Sequence, residues 1–144
     1  MEMKTYLNPK WWLIVFGVIF LILGAGNYIT AEEAAETAYP DPTDRDVFYE
    51  QTFGLFSMAL ASLALATGLC VKGRGLSVLA MVSSVAMIVV FVLHYNAGEV
   101  VNYGYNDIRL TAALGTLLGL MGLGGYMHLE AVSYTHLTLP TTIE

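Results

Sequence analysis

His94 is the first of the few residues in this chain that could do chemistry. It stands at the end of a long apolar run and is followed by Tyr95 and Asn96. An ionisable side chain inside or beside a membrane span is costly to keep there and often serves a function. Two interpretations stay open for His94: a polar residue at the membrane interface, or a group that handles a ligand, a quinone or a proton.

A second ionisable residue, Glu50, belongs to the same level as His94. Glu50 directly precedes another apolar run. Counted along helices at 1.5 Å per residue from the connection between the two runs, Glu50 and His94 differ in height by roughly 4–5 Å. We therefore expect them to lie within reach of each other at the mouth of an external pocket, where ligand binding would depend on pH between about pH 6 and 8. The pocket candidates are Glu50, His94, Tyr95, Asn96, Asp107 and Arg109, with Tyr49, Tyr103 and Tyr105 at the same level.

Other kinds of chemistry are excluded by residue type and spacing. A single cysteine, Cys70, allows no disulfide framework, CxxC pair or cysteine-rich metal site. His94 and His128 would stand at opposite ends of antiparallel spans, too far apart to ligate one haem or metal ion. The net charge of −6 leaves no basic surface for nucleic acid. We predict no catalytic residues and no metal site.

The composition predicts the elements that carry these residues. The 144 residues are 56% hydrophobic and 12% charged, against about 25% charged in an average soluble domain. Four runs without Asp, Glu, Lys or Arg approach the roughly 20 residues that a helix needs to cross a bilayer. The predicted fold is all-α, an integral membrane four-helix bundle with spans at 11–29, 53–71, 76–95 and 110–127.

Local signals predict how the helices begin and turn. Asn8 followed by Pro9 is typical of a helix start. Residues 43–46 form a capping box, so the second helix should begin outside the membrane and enter it near Phe53. Glycines in the turn 72–75 should separate spans 2 and 3 and hold them side by side.

The basic residues predict the orientation. Four of the six lie before span 1 or between spans 2 and 3, which places both termini in the cytoplasm and the protein in the inner membrane. The segment 30–52 is then an external loop with seven acidic residues and one arginine. The alternative is that span 1 is a cleaved signal peptide.

Small residues predict where helices approach closely. Gly115-x-x-x-Gly119 in span 4, followed by Gly122, Gly124 and Gly125, is typical of a helix-packing face. Gly17 and Gly24 give span 1 a similar face. Asn27 would form a hydrogen bond between helices. Whether the partner of each face is internal or another subunit stays open.

The last residues differ in character from the rest. Residues 132–144 have no apolar periodicity and resemble a translated sequencing-adapter read-through, of the kind found at the ends of environmental-DNA reading frames. We therefore predict a single membrane domain at 1–131 followed by a tail that is not native. The alternative is a natural disordered tail.

Span 1 reads Gly17-x-x-Phe20-x-x-x-Gly24-x-x-Asn27. This pattern resembles the first helix of the DoxX-like families of small four-helix membrane proteins, in which a lysine usually stands at the position of Asn27. The layout is also similar, with a longer external segment after helix 1 and an acidic residue, Glu50, near the start of helix 2. The resemblance implies an association with quinone-linked membrane oxidoreduction.

Three functions follow from these observations. The leading one is a non-enzymatic accessory or structural subunit of a membrane complex, whose partners are the lipid bilayer and other membrane subunits or a second copy. The alternative is a membrane redox component that binds quinone or haem near the outer face. A small transporter is the second alternative, and the absence of charge within the four runs argues against it.

Overall fold

The computed structural model describes residues 2–129, and within that range the chain forms six α-helices and no strand. The predicted tail at 132–144 lies outside the described residues. The helices, numbered in chain order, are α1 (Glu2–Tyr6), α2 (Pro9–Ile29), α3 (Ala31–Ala38), α4 (Asp44–Cys70), α5 (Gly73–Val101) and α6 (Ile108–Leu129).

Four of these helices are long and apolar enough to cross a membrane. Along the chain, the apolar windows of the four candidate spans have mean hydropathies of 2.1, 1.8, 2.7 and 1.4. Large apolar side chains point outward from them, as Val85 and Leu93 do, and such a surface suits lipid. The all-helical class predicted from the composition is confirmed for the described residues.

The predicted helix starts are also confirmed. The Asn8 side chain accepts a hydrogen bond from the Lys10 backbone at 3.0 Å, and Pro9 occupies the first turn of α2. At the start of α4, the Asp46 carboxylate accepts one from the Thr43 backbone N–H at 2.9 Å. Helix α4 therefore begins well before its apolar run, as the capping box predicts.

The connection between α4 and α5 is shorter than predicted. Only Val71 and Lys72 lie outside the helices, and Gly75 belongs to α5. Gly73 has a φ of 63°, in the left-handed region that glycine enters without a steric penalty. We call this end of the long helices the turn end.

Helix α5 is longer than the span predicted for it. It continues past Tyr95 to Val101 and ends at Asn102, which adopts a left-handed conformation with a φ of 52°. An asparagine in this conformation is a common helix terminator. The additional turns carry α5 beyond the level of His94.

The long helices pack most closely as two pairs, α2 with α4 and α5 with α6. Glycines permit the close contact of α2 with α4. A Cβ built on Gly17 would lie 2.6 Å from Leu65 Cγ, and one built on Gly24 would lie 2.8 Å from the Gly54 carbonyl oxygen. In the second pair, the Ser84 hydroxyl donates a hydrogen bond to the Leu118 carbonyl. Close backbone approach of this kind is how helices associate where no water drives them together.

Helices α4 and α5 contact each other little, although two residues join them. Spans 2 and 3 are in contact, but the closest partner of α4 is α2 and that of α5 is α6. A short connection fixes only the ends of two helices, and the small-residue faces of α2 and α4 decide which helices become neighbours.

A small apolar core joins the two pairs, with α2 against both α5 and α6. Aromatic rings extend the contact, with the centroids of Phe20 and Phe91 6.2 Å apart. The buried core residues are Leu13 and Phe16 from α2, Leu76 and Ala80 from α5, and Leu118 and Met121 from α6.

Of the glycines predicted to pack α6, Gly122, Gly124 and Gly125 do so within the described chain, whereas Gly115 and Gly119 do not. Among the described residues, no atom lies within 4 Å of a Cβ built on Gly115 or Gly119. One turn further along, a Cβ on Gly122 would lie 2.7 Å from Ser84 Oγ, and one on Gly125 would lie 2.7 Å from the Ser77 carbonyl oxygen. The face with Gly115 and Gly119 is turned away from α5, so it makes no close helix contact within the described part of the chain.

A short helix, α3, covers one end of the molecule within the segment 30–52 that is predicted to be an external loop. Helix α3 buries the four alanines at 31, 34, 35 and 38 against the rest of the chain and leaves its glutamates exposed. This spacing is that of a helix with one apolar face. We call this end of the long helices the α3 end.

Candidate functional site

Two connections meet at the α3 end and form one cap. Helix α3 lies in the connection from α2 to α4, and residues 102–107 connect α5 to α6. The Gly104 backbone N–H donates a hydrogen bond of 2.8 Å to the Ala38 carbonyl, which closes the carboxyl end of α3. A Cβ on Gly104 would collide with the Thr37 carbonyl. The two connections are thus in direct contact.

Glu50 lies beneath this cap and is the most buried charged residue of the described chain, with 3% of its surface exposed. Its Oε2 accepts a hydrogen bond of 3.0 Å from Asn27 Nδ2, and its Oε1 accepts one of 3.0 Å from the Tyr103 hydroxyl. Asn27 Nδ2 also donates to the Glu50 backbone carbonyl at 2.8 Å. The carboxylate therefore links α2, α4 and the connection before α6.

The close contact of α2 with α4 sets this geometry. Gly24 and Gly54 face each other with no room for a side chain. Because the two helices are antiparallel, Asn27 follows Gly24 by about one turn and Glu50 precedes Gly54 by about one turn. The glycine contact therefore brings the amide and the carboxylate to the same height.

Aromatic rings surround the carboxylate. The ring of Tyr103 lies 5.5 Å from that of Tyr39 and 5.6 Å from that of His94, in edge-to-face arrangements. The His94 ring stacks on Phe53 with centroids 6.0 Å apart. Aromatic rings thus bridge α4 and α5 at the α3 end, although the two helices share few close backbone contacts.

A cleft of about 330 Å³ opens between these groups. Clefts that hold small ligands start at about this size and combine apolar walls with a few convergent polar groups. The lining residues are Tyr39, Tyr49, Glu50, Phe53, His94, Ala97, Gly98, Val101 and Tyr103.

The electrostatic environment keeps two phenols of this cleft, those of Tyr39 and Tyr103, protonated. Burial, followed by the nearby Glu50 carboxylate, raises the pKa of Tyr39 and raises that of Tyr103 far above its ordinary value. Both hydroxyls are therefore neutral hydrogen-bond donors at physiological pH. Because the Tyr103 hydroxyl donates a hydrogen bond to Glu50, the carboxylate remains the group of this site that can accept a positive ligand.

Glu50 and His94 line the same cleft, but Tyr103 stands between them. Its hydroxyl donates a hydrogen bond to Glu50 Oε1, while its ring meets the imidazole edge to face. The two residues thus share a site without the direct pairing that helix heights alone predict.

The other four pocket candidates lie outside the cleft lining. The Tyr95 carbonyl accepts a hydrogen bond from Asn106 Nδ2 at 3.1 Å, which anchors the connection before α6. Asp107 Oδ1 accepts one from the Arg109 backbone N–H at 2.7 Å and so caps the start of α6. Arg109 and Asn96 are exposed. These four residues lie at the same end of the long helices as the cleft, but they do not line it.

Several cleft residues were absent from the predicted set. Tyr39 stands just beyond α3, and Phe53 and Ala97 stand on helix faces that only the tertiary arrangement brings together. Asn27, predicted as an interhelical hydrogen-bond donor, contributes to the site because its acceptor is Glu50. The sequence predicts that Tyr103 lies at the same end of the helices as Glu50. It does not predict the hydrogen bond between the Tyr103 hydroxyl and the Glu50 carboxylate.

Comparison of the chain with protein-family models, with curated proteins and with solved structures gives no match.

Proposed function

We propose that this chain is a non-enzymatic integral membrane protein whose four long helices cross the inner membrane as one bundle and hold a small ligand in the Glu50 cleft. Both termini would lie in the cytoplasm and the cleft would open on the opposite side. Four of the six basic residues support this orientation, because Lys4, Lys10, Lys72 and Arg74 belong to the turn end.

The observation that carries the binding role is the burial of Glu50 beside a cleft. Removing a carboxylate from water costs several kcal/mol, and an apolar residue of similar volume often serves packing as well or better. The hydrogen bonds that reach Glu50 come from an amide and a phenol, both neutral. A carboxylate kept at such a position, with a cleft against it, is suited to contact a ligand.

The same architecture supports an accessory role in a membrane complex. The face of α6 with Gly115 and Gly119 has open space beside it in the described chain, and small residues of this kind let another helix approach closely. The DoxX-like pattern of span 1, which stays a prediction, points to the same class of protein. Ligand binding and an accessory role are compatible in one subunit.

The redox alternative draws on one specific feature, the position of His94 in the cleft lining. An imidazole with aromatic neighbours at the end of a membrane span suits a quinone head group, and an imidazole is also a haem ligand. An absorption spectrum of the protein purified in detergent separates these possibilities. A Soret band would favour the redox function over the non-enzymatic one.

The direct test of the binding role is to fill the cleft. Ala97→Trp places a large ring in the cleft lining, and Ala86→Trp places the same ring on an exposed position of α5. We expect mass spectrometry to find a small molecule that copurifies with the wild-type protein and with Ala86→Trp but is lost from Ala97→Trp. Equal small-molecule content in the wild-type protein and in Ala97→Trp would overturn the proposal.

A further inference from the structure

We infer that the Glu50 cleft selects a small organic cation, whose ammonium group would sit between the Glu50 carboxylate and the surrounding aromatic rings. This inference rests on the proposed ligand-binding function and names the chemical class of its ligand. Three independent features carry it: the charge of the buried group, the composition of the walls and the field of the surrounding surface.

No lysine or arginine lines the cleft to balance the buried charge of Glu50, and the one imidazole in the lining, that of His94, meets the ring of Tyr103. Asn27 and Tyr103 stabilise the carboxylate as neutral donors. The two basic residues of the α3 end, Arg45 and Arg109, are exposed and do not line the cleft. A cationic ligand would supply the opposite charge, and the attraction would be strengthened by the burial of the Glu50 side chain.

The walls of the cleft favour an organic cation over a metal ion. Five of the nine lining residues carry rings: Tyr39, Tyr49, Phe53, His94 and Tyr103. Aromatic rings attract ammonium groups through their quadrupoles, and clusters of such rings recognise quaternary ammonium ligands. A calcium ion, by contrast, needs six to eight oxygen ligands, and the remaining walls are apolar or lack a side chain, as at Ala97, Gly98 and Val101.

The surface around the cleft is negatively charged and so attracts cations. Nine of the twelve acidic residues of the chain lie at 30–52 or 96–109, with only two of the six basic residues. Such an excess raises the local concentration of cations and repels anions. Within about 10 Å at moderate salt, this field would act on any ligand that approaches the cleft.

An ammonium group could come from a soluble amine or from the head group of a lipid, since the cleft lies at the end of apolar helices. Both sources present the same chemistry to Glu50. The shared prediction is that the cleft prefers a positive group to a neutral or negative one of equal size.

Cysteine reactivity measures this preference directly. In a Cys70→Ser background, Ala97→Cys places a thiol in the cleft, and Thr37→Cys places one on the exposed side of α3 at the same acidic end. Each purified variant is treated with two methanethiosulfonates, one carrying a trimethylammonium group and one a sulfonate. The ratio of the two rates at Thr37→Cys corrects for the reagents and for the general acidic field.

We expect the corrected ratio at Ala97→Cys to favour the cationic reagent at least about fivefold, because Glu50 lies against the same cleft. Glu50→Gln, which keeps an acceptor oxygen, should bring the ratio close to that of Thr37→Cys. Tyr103→Phe removes a hydrogen bond and no charge, so it should retain the preference.

A competition experiment decides the matter even if Glu50→Gln does not fold. Tetramethylammonium chloride should slow the reaction of Ala97→Cys with neutral N-ethylmaleimide, whereas sodium chloride at the same concentration should not. Protection in vesicles of phosphatidylglycerol with phosphatidylethanolamine, but not in phosphatidylglycerol alone, would identify a lipid head group as the source.

The failures of the two proposals are distinguishable. A reactive Ala97→Cys without charge preference, or with equal effects of the two salts, would overturn the cation assignment and leave an accessible cleft. A thiol at position 97 that no reagent reaches would overturn both the cation site and the ligand-binding function.

Discussion

The connections between the long helices differ greatly in length at the two ends of the molecule. At the turn end, Val71 and Lys72 alone join α4 to α5. At the α3 end, residues 30–43 connect α2 to α4 and include α3, and residues 102–107 connect α5 to α6. The longer connections supply Tyr39 and Tyr103, which close over Glu50. A carboxylate can be buried at this end because chain is available there to cover it.

The largest expected difference between the ends concerns backbone contact. Gly24→Ala adds a Cβ 2.8 Å from the Gly54 carbonyl oxygen, so α2 and α4 must separate where they position Asn27 and Glu50. We expect a loss of about 1–3 kcal/mol in the free energy of unfolding, read as a lower midpoint of thermal unfolding in detergent. Gly75→Ala at the turn end meets only Val71 Cγ1, at an ordinary 3.4 Å, and should leave the midpoint unchanged or raise it. An equal fall of the unfolding midpoint in both variants would contradict a closer backbone contact at Gly24 than at Gly75.

A somewhat smaller effect is expected from the buried carboxylate. Glu50→Leu leaves the Asn27 amide and the Tyr103 hydroxyl without their acceptor, and an unsatisfied buried group costs about 1–3 kcal/mol, partly offset here by the removal of a buried charge. Arg74→Leu at the turn end changes an exposed residue and should stay within about 0.5 kcal/mol of the wild type. Chemical unfolding of the purified variants measures both. A Glu50→Leu protein more stable than the wild type would show that the carboxylate is retained at a cost in stability, which would sharpen the case for a functional role.

The smallest expected effect is on the pH dependence of stability. Burial and Glu50 raise the pKa of Tyr103 above its ordinary value of 10. Below pH 10 the residue is protonated in both the folded and the unfolded chain. Above pH 10 only the unfolded chain loses the proton, so the free energy of unfolding falls as the pH rises. Tyr103→Phe should make the decline of the unfolding midpoint above pH 10 less steep, whereas Tyr6→Phe, an exposed tyrosine near the turn end, should leave it as in the wild type. Identical profiles for the three proteins would refute a shielded Tyr103.

Features that involve residues of one segment, such as helix caps, could be predicted from the sequence. Features that involve contacts between two distant segments could not. The caps at Asn8 and Thr43 were predictable because each involves neighbouring residues of one helix start. Which helices pair was not, since a two-residue connection says less about neighbours than the glycine faces of α2 and α4 do. Helix α3 could have been found from the spacing of its buried alanines.

The candidate site divides in the same way. The level of Glu50 and His94 followed from helix rise alone, and the structure puts both beside one cleft. The insertion of Tyr103 between them depends on the contact of Gly104 with the end of α3, two segments more than sixty residues apart in the sequence. No periodicity within either segment predicts a contact of that kind.

The most direct test of the account compares the two ends in the living membrane. In a Cys70→Ser background, Ala97→Cys marks the cleft and Arg74→Cys marks the turn end. Intact cells are treated with a membrane-impermeant thiol reagent, and broken cells serve as the control for total reactivity. We expect Ala97→Cys to react in intact cells and Arg74→Cys to react only after the cells are broken. Reaction of Arg74→Cys from outside, or an Ala97→Cys thiol that stays unreactive in both preparations, would contradict an outward-facing cleft around Glu50.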